Sequence, residues 1–243
     1  MSSQRYIELD ALRTLAIGGM ILYHTAFDLS QFYGWDIDVF DSGWKILQIA
    51  TASLFLLLVG VTSLFSTRHP YKRFMQIGSA ALLVTVATYV IDPQTYVRFG
   101  ILHLIAVSAL ILPFIKGLRA WLIIPAAILI AINPVVSSLT VDSSLLLPLG
   151  IPYRGFSSVD YFPLIPWFGV ILIGYVIGFI AYIRFPEWRA ARTDAISWRL
   201  YLILPPTLYT WIAWPGRHSL LLYLIHQPII LGVLWMSLGK PAL

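Results

Sequence analysis

Apolar runs of about twenty residues, separated by short clusters of charge and proline, fill most of the chain. A helix rising 1.5 Å per residue needs a run of that length to cross roughly 30 Å of hydrocarbon. Seven runs fit: 9–29, 44–65, 74–91, 99–115, 120–138, 161–184 and 219–238. An eighth candidate, 198–214, carries Pro205 and Pro206, which remove helix hydrogen bonds; it can span, re-enter or lie in the interface. The pattern predicts an all-α, polytopic transmembrane bundle. With no repeat or low-complexity tract, 1–243 reads as one domain. The first run is interrupted by Asp10, Arg13 and His24 and has no small-residue cleavage pattern after it, so it is expected to persist in the mature chain.

Composition agrees. Of the 243 residues 59% are hydrophobic and only 11% charged, with a mean hydropathy of +0.82. No cysteine is present, which excludes disulfide scaffolds, thiolate nucleophiles and Cys-ligated metals. The net charge of +5 reads as loop charge facing lipid headgroups and not as a nucleic-acid surface. With seven spans and the N-terminus inside, four of the sixteen Lys and Arg fall outside (Lys45, Arg98, Arg154, Lys240) and the rest inside, which predicts a cytoplasmic N-terminus.

Ionisable residues within spans mark candidate chemistry. Arg13 and His24 are eleven steps apart, close to three whole turns and about 16 Å of rise, so they share a helix face with Ile17 and Met20. Asp28 continues this stripe, spaced to orient His24 as a general base; the alternative is a polar clamp between helices. Asp10 and Arg13, three apart, suit a helix-end ion pair. His103 and His226, on other spans, are each able to meet His24, and Gln227 follows His226 directly. Asp160, Tyr161 and Trp167 flank the outer start of the sixth span as candidate substrate contacts, although Tyr and Trp there have an ordinary explanation as interfacial anchors, the favoured one for Trp167. Gly174 and Gly178 form a small-xxx-small packing pair. At the inner surface Lys72, Arg73, Arg217 and His218 suit phosphates, and lipid headgroups equally. The stretch 139–160 is long enough for an outer lid.

The opening Leu9-Asp10-Ala11-Leu12-Arg13 followed by His24 resembles the first-helix motif of the transmembrane acyltransferase superfamily, which includes the acyltransferase type 3 branch. More narrowly, His24-Thr25-Ala26-Phe27-Asp28, Phe99-Gly100-Ile101-Leu102-His103, Tyr161-Phe162-Pro163-Leu164-Ile165-Pro166-Trp167 and Gly216-Arg217-His218, followed by His226-Gln227-Pro228, resemble bacterial and archaeal relatives of the heparan-alpha-glucosaminide N-acetyltransferase catalytic domain. The resemblance implies an integral protein of a prokaryotic plasma membrane. It would take an acyl group, usually acetyl, from cytoplasmic acetyl-CoA or another acyl-CoA. The group would pass to a hydroxyl or amine of an extracytoplasmic acceptor such as a sugar. His24 would be the first-helix histidine, no metal is expected, and a homodimer is an expectation weakly helped by the Gly174/Gly178 face. Two other readings stay open: an intramembrane metal-dependent enzyme using His24, Asp28, His103 and His226, and a proton-coupled small-molecule transporter. A retinal protein is excluded because span seven has no lysine, and no Gly-x-Ser-x-Gly elbow supports a serine route.

Overall fold

The computed structural model describes residues 6–66, 68–185 and 206–240. Within them regular structure is helical, apart from two isolated bridges pairing Phe99 with Tyr161 and Val141 with Tyr153. The helices are α1 (Ile7–Tyr33), α2 (Ser42–Ser63), α3 (Pro70–Ile91), α4 (Ile101–Ile115), α5 (Ile123–Ala131), α6 (Asn133–Ser138), α7 (Leu164–Gly178), α8 (Pro206–Arg217) and α9 (Ser219–Leu238). Short 3-10 stretches cover Lys116–Leu122 and Ser144–Leu149, and a wider π-type stretch, Phe179–Arg184, extends α7.

Among the described residues, five helical stretches are long and apolar enough to cross a bilayer: Gly43–Ser63, Pro70–Ile91, Ile101–Ser138, Leu164–Arg184 and Ser219–Leu238. The expected runs 44–65, 74–91, 161–184 and 219–238 each coincide with one of them. The runs 99–115 and 120–138 lie together in Ile101–Ser138, 38 residues long. An unbroken helix of that length would extend about 57 Å, nearly twice the hydrocarbon thickness. Arg119, with φ +53°, leaves the right-handed helical region and breaks it. The first run is α1, whose 27 residues reach about 40 Å; its ionisable side chains keep it out of the purely apolar set. It stops at Gly34, whose φ of +66° lets its N–H bond the Leu29 carbonyl. Part of 198–214 lies outside the described residues, as do Arg5, Arg189, Arg192 and Arg199 of the charge asymmetry; from Pro206 onward that segment is helix.

The chain divides into two compact units, Met1–Phe55 with Ala191–Leu243, and Leu56–Ala190. In the first, α1 packs along α8 and α9. It buries Ala16, Ile17, Tyr23, Ala26 and Asp28, and exposes Leu12, Leu15 and Leu22, as suits a helix with one polar, protein-facing side and one lipid-facing side. In the second, α3 packs on α4 and α5 on α7. There the latter part of α2 meets α7 backbone to backbone: a Cβ at Gly60 would collide with the Ile171 carbonyl, and one at Gly174 with the Leu57 carbonyl. Gly178 faces Val61 and Leu64. The Gly174/Gly178 face is therefore buried within the chain, and the support it was expected to give a homodimer is withdrawn.

Between α3 and α4, Asp92 accepts from the Thr95 hydroxyl at 2.6 Å and the Gln94 N–H at 2.9 Å; these donors hold its pKa below the free carboxylate's 3.8. A lowered folded pKa means that this bracing is present above the unfolded pKa and fades as pH falls through the folded one. The Gln94 amide resonance should therefore titrate with a midpoint below 3.8. Replacing Gly60 by Leu should destabilise the second unit by about 3 kcal/mol or more, because backbone cannot yield as a side chain does; thermal unfolding in detergent measures this.

Candidate active site

The polar face of α1 is covered by α8 and α9 at two levels. At the first, Arg13 donates to Asp10 Oδ1 at 3.2 Å, one turn away on the same helix. The other oxygen of Asp10 lies 3.4 Å from Nε of Arg217, at the end of α8. Asp10 is buried, and two guanidiniums share its single carboxylate. Thr14, one turn beyond Asp10, donates to the Ile212 carbonyl at 2.7 Å and accepts from the Gly216 N–H at 3.0 Å. A Cβ at residue 216 would collide with the Asp10 carbonyl, so glycine before Arg217 is a steric requirement. His218 lies beyond, stacked on Trp214 with ring centroids 4.7 Å apart and Nδ1 3.0 Å from the Trp214 carbonyl.

The second level holds His24, Asp28, His226 and Gln227. Asp28 is fully buried, and Gln227 Nε2 donates to both its carboxylate oxygens, at 2.7 and 2.9 Å. His24 faces His226, ring centroids 4.9 Å apart and planes inclined by 59°. Among the described residues His24 has no hydrogen bond to Asp28. The spacing of four stacks them along α1, yet each side chain meets a different residue of α9.

The hydrogen bonds of His226 fix its tautomer. Nδ1 lies 2.7 Å from the Tyr223 carbonyl, an oxygen that can only accept, so Nδ1 carries the proton and the neutral ring presents Nε2 as a lone pair. That Nε2 is buried and among the described residues has no partner, and neither has Gln227 Oε1. Buried acceptors are normally satisfied. Such bare acceptors on two consecutive residues of α9 make this a place where a donor from a ligand or water would be bound.

Other expected site residues lie in the second unit, with defined roles there. His103 Nδ1 accepts from the Gly100 N–H at 3.2 Å and its Nε2 lies 3.3 Å from the Thr85 hydroxyl. The first contact leaves the ring proton on Nε2, donated to Thr85, which passes its own to the Val97 carbonyl at 2.8 Å. Asp160 accepts from the Ile101 N–H at 3.2 Å, capping α4 with a charge favourable to the helix start. The Tyr161 hydroxyl donates to the Leu147 carbonyl at 2.8 Å, and Trp167 packs on Phe162 with centroids 4.8 Å apart. These residues have packing and capping work that spacing alone does not reveal. Lys72 and Arg73 sit in the first turn of α3, in the same unit. Among the described residues no three of His, Asp and Glu gather as a metal-ligand set.

Sequence reasoning missed Thr14 and the bridging role of Asp10. Their signal is helical spacing: 10, 13, 14 and 17 share the face that continues to His24.

An all-helical integral membrane protein in which two imidazoles and two guanidiniums from three helices gather along the polar face of α1 is the class defined so far. Within that class, residues 5–228 match the heparan-alpha-glucosaminide N-acetyltransferase catalytic family, and the chain belongs to it. This is a family of membrane acetyltransferases, and the match takes in every expected site residue from Arg13 to Gln227. No curated protein and no solved structure matches the chain.

Gln227→Leu should destabilise the first unit by about 2 kcal/mol or more, since it strands a buried carboxylate. The double variant Asp28→Leu/Gln227→Leu should recover part of that loss. A double-mutant cycle on unfolding free energies should give a coupling of about 1–3 kcal/mol; strictly additive effects would contradict the pairing.

Proposed function

We propose that the chain moves an acyl group, acetyl in the first instance, from cytoplasmic acyl-CoA to a hydroxyl or amine of an extracytoplasmic acceptor such as a sugar, in a prokaryotic plasma membrane. The observation that carries this reading is the pair of facing rings, half-buried His24 and buried His226, the latter with an Nε2 that has no partner among the described residues, on a helix face that leads to the two guanidiniums at Asp10. Family membership supports acetyl transfer as the reaction.

The N-terminus is cytoplasmic in this reading, and the diphosphate of the donor binds at Arg13 and Arg217. His218 follows Arg217 and adds to this basic cluster, and Lys72 and Arg73 supply positive charge at the start of α3 in the second unit. From Arg13 to His24 the rise is about 16 Å, a distance that a pantetheine arm spans with its thioester at the far end. The acceptor's O–H or N–H gives its proton to Nε2 of His226 as its heteroatom attacks the thioester carbonyl. His24 donates an N–H to the oxygen on which negative charge develops. Collapse breaks the C–S bond. The acyl group stays on the acceptor, and the leaving thiolate takes the proton from the His226 imidazolium. Asp28 and Gln227 act through position: their bond fixes α9 against α1 and so sets the two rings opposite each other.

Purified protein in vesicles with radiolabelled acetyl-CoA tests this. His24→Ala and His226→Ala should each slow label transfer to acceptor, or to water as thioester hydrolysis, by about 10²-fold or more. Arg13→Ala should raise the KM for acetyl-CoA several-fold and leave kcat nearly unchanged. Wild-type turnover in both histidine variants would overturn the proposal.

A further inference from the structure

The second unit contains a cavity of about 610 Å³ lined by Thr85, Tyr96, Arg98, Phe99, Tyr153 and Leu147, with Asp142, Ser144 and Pro148 completing its wall. That volume falls in the range of small-molecule sites, and nothing in the acyl-transfer reading uses it. Its wall combines three aromatic rings with one guanidinium, and the guanidinium is clamped in place.

Arg98 has five N–H donors. Nη1 donates to the Ser157 carbonyl at 2.5 Å and to the Gln94 carbonyl at 3.3 Å, and Nη2 donates to Gln94 at 3.3 Å. The end-on edge, formed by the two Nη groups, is thus spent on backbone. The guanidinium also lies over the Tyr96 ring, 4.1 Å from its centroid, a favourable cation–π position. Among the described residues nothing engages the side-on edge, Nε–H with the second Nη2–H. Its two parallel donors match a carboxylate or phosphate.

Among the described residues no carboxylate pairs with Arg98. Asp142, the acid on the wall, is exposed and has its own counter-charge in Arg154, 3.8 Å away. A preorganised fork without a protein anion, beside aromatic rings, has the chemistry of a receptor for an organic anion.

We propose that this cavity binds a small organic oxyanion, a carboxylate or a phosphate monoester. The charged group is held bidentate by Arg98, and the apolar or aromatic body lies against Tyr96, Phe99 and Tyr153. Binding here needs no acyl-CoA, so this inference and the acyl-transfer reading stand or fall separately.

The test is ligand-observed NMR and calorimetry on the full chain in detergent, without acyl-CoA. The probes are phenylacetate, phenyl phosphate, inorganic phosphate and neutral 2-phenylethanol. At least one aromatic anion should bind ten-fold or more tightly than 2-phenylethanol and inorganic phosphate, and its identity distinguishes a carboxylate from a phosphate ligand. R98K keeps the charge and loses the fork, and should weaken that anion about ten-fold. Y153L leaves the carbonyl clamp of Arg98 intact and should weaken it several-fold, which keeps the test open should Arg98 variants fail to fold. The proposal is overturned if neither aromatic anion binds, if the neutral probe binds as well, or if folded R98K and Y153L bind as wild type does.

Discussion

A helix that brings ionisable side chains into an apolar medium must find partners for them, and α1 finds its partners about two hundred residues along the chain. Asp10 pairs with Arg217, Thr14 with the backbone of Ile212 and Gly216, and Asp28 with Gln227. Leaving a buried hydrogen-bonding group unsatisfied costs about 1–3 kcal/mol, and more for a charged one, so each contact penalises any displacement of α8 or α9 from α1. Gly216 belongs to the same constraint, because only a residue without Cβ lets α8 approach the Asp10 carbonyl. The histidine pair sits between these clasps and inherits its geometry from them.

Satisfied and unsatisfied polar atoms separate structural groups from candidate chemistry. His103 has both ring nitrogens engaged, Asp160 caps α4, and Tyr161 spends its hydroxyl on a backbone carbonyl. His226 engages one nitrogen and leaves the other bare beside His24. Arg98 divides its donors similarly, with one edge anchored and the other open. In both places the backbone fixes orientation and leaves functional capacity over, which is how a site is preorganised.

Much of this was legible in sequence, because helical periodicity is a local property. The alignment of Arg13, Ile17, Met20, His24 and Asp28 on one face of α1 follows from spacing, and burial of Ile17 and Asp28 with exposure of Leu15 and Leu22 agrees. The pairing of partners was not legible. Asp28 stands one turn from His24 and reads as its orienting acid, yet Gln227 takes the carboxylate and His226 meets the ring. That choice depends on how α9 lies along α1, a contact between residues far apart in sequence. The same holds for Gly174 and Gly178, whose small-residue spacing signals a close helix contact without saying whether the other helix belongs to the same chain. The break at Arg119 lay at a charged cluster between two apolar runs, and backbone conformation fixes its position.

The proposed acyl transfer depends most on the donor lying along α1 with its reacting carbon between two imidazoles. A structure of the protein with acetonyl-CoA, a ketone in which a methylene separates the sulfur from the carbonyl carbon so that no C–S bond can be cleaved at the carbonyl, measures this directly. The predicted result is a diphosphate at Arg13 and Arg217 and a ketone carbonyl in contact with His24 and His226. A bound analogue whose carbonyl touches neither ring would contradict it.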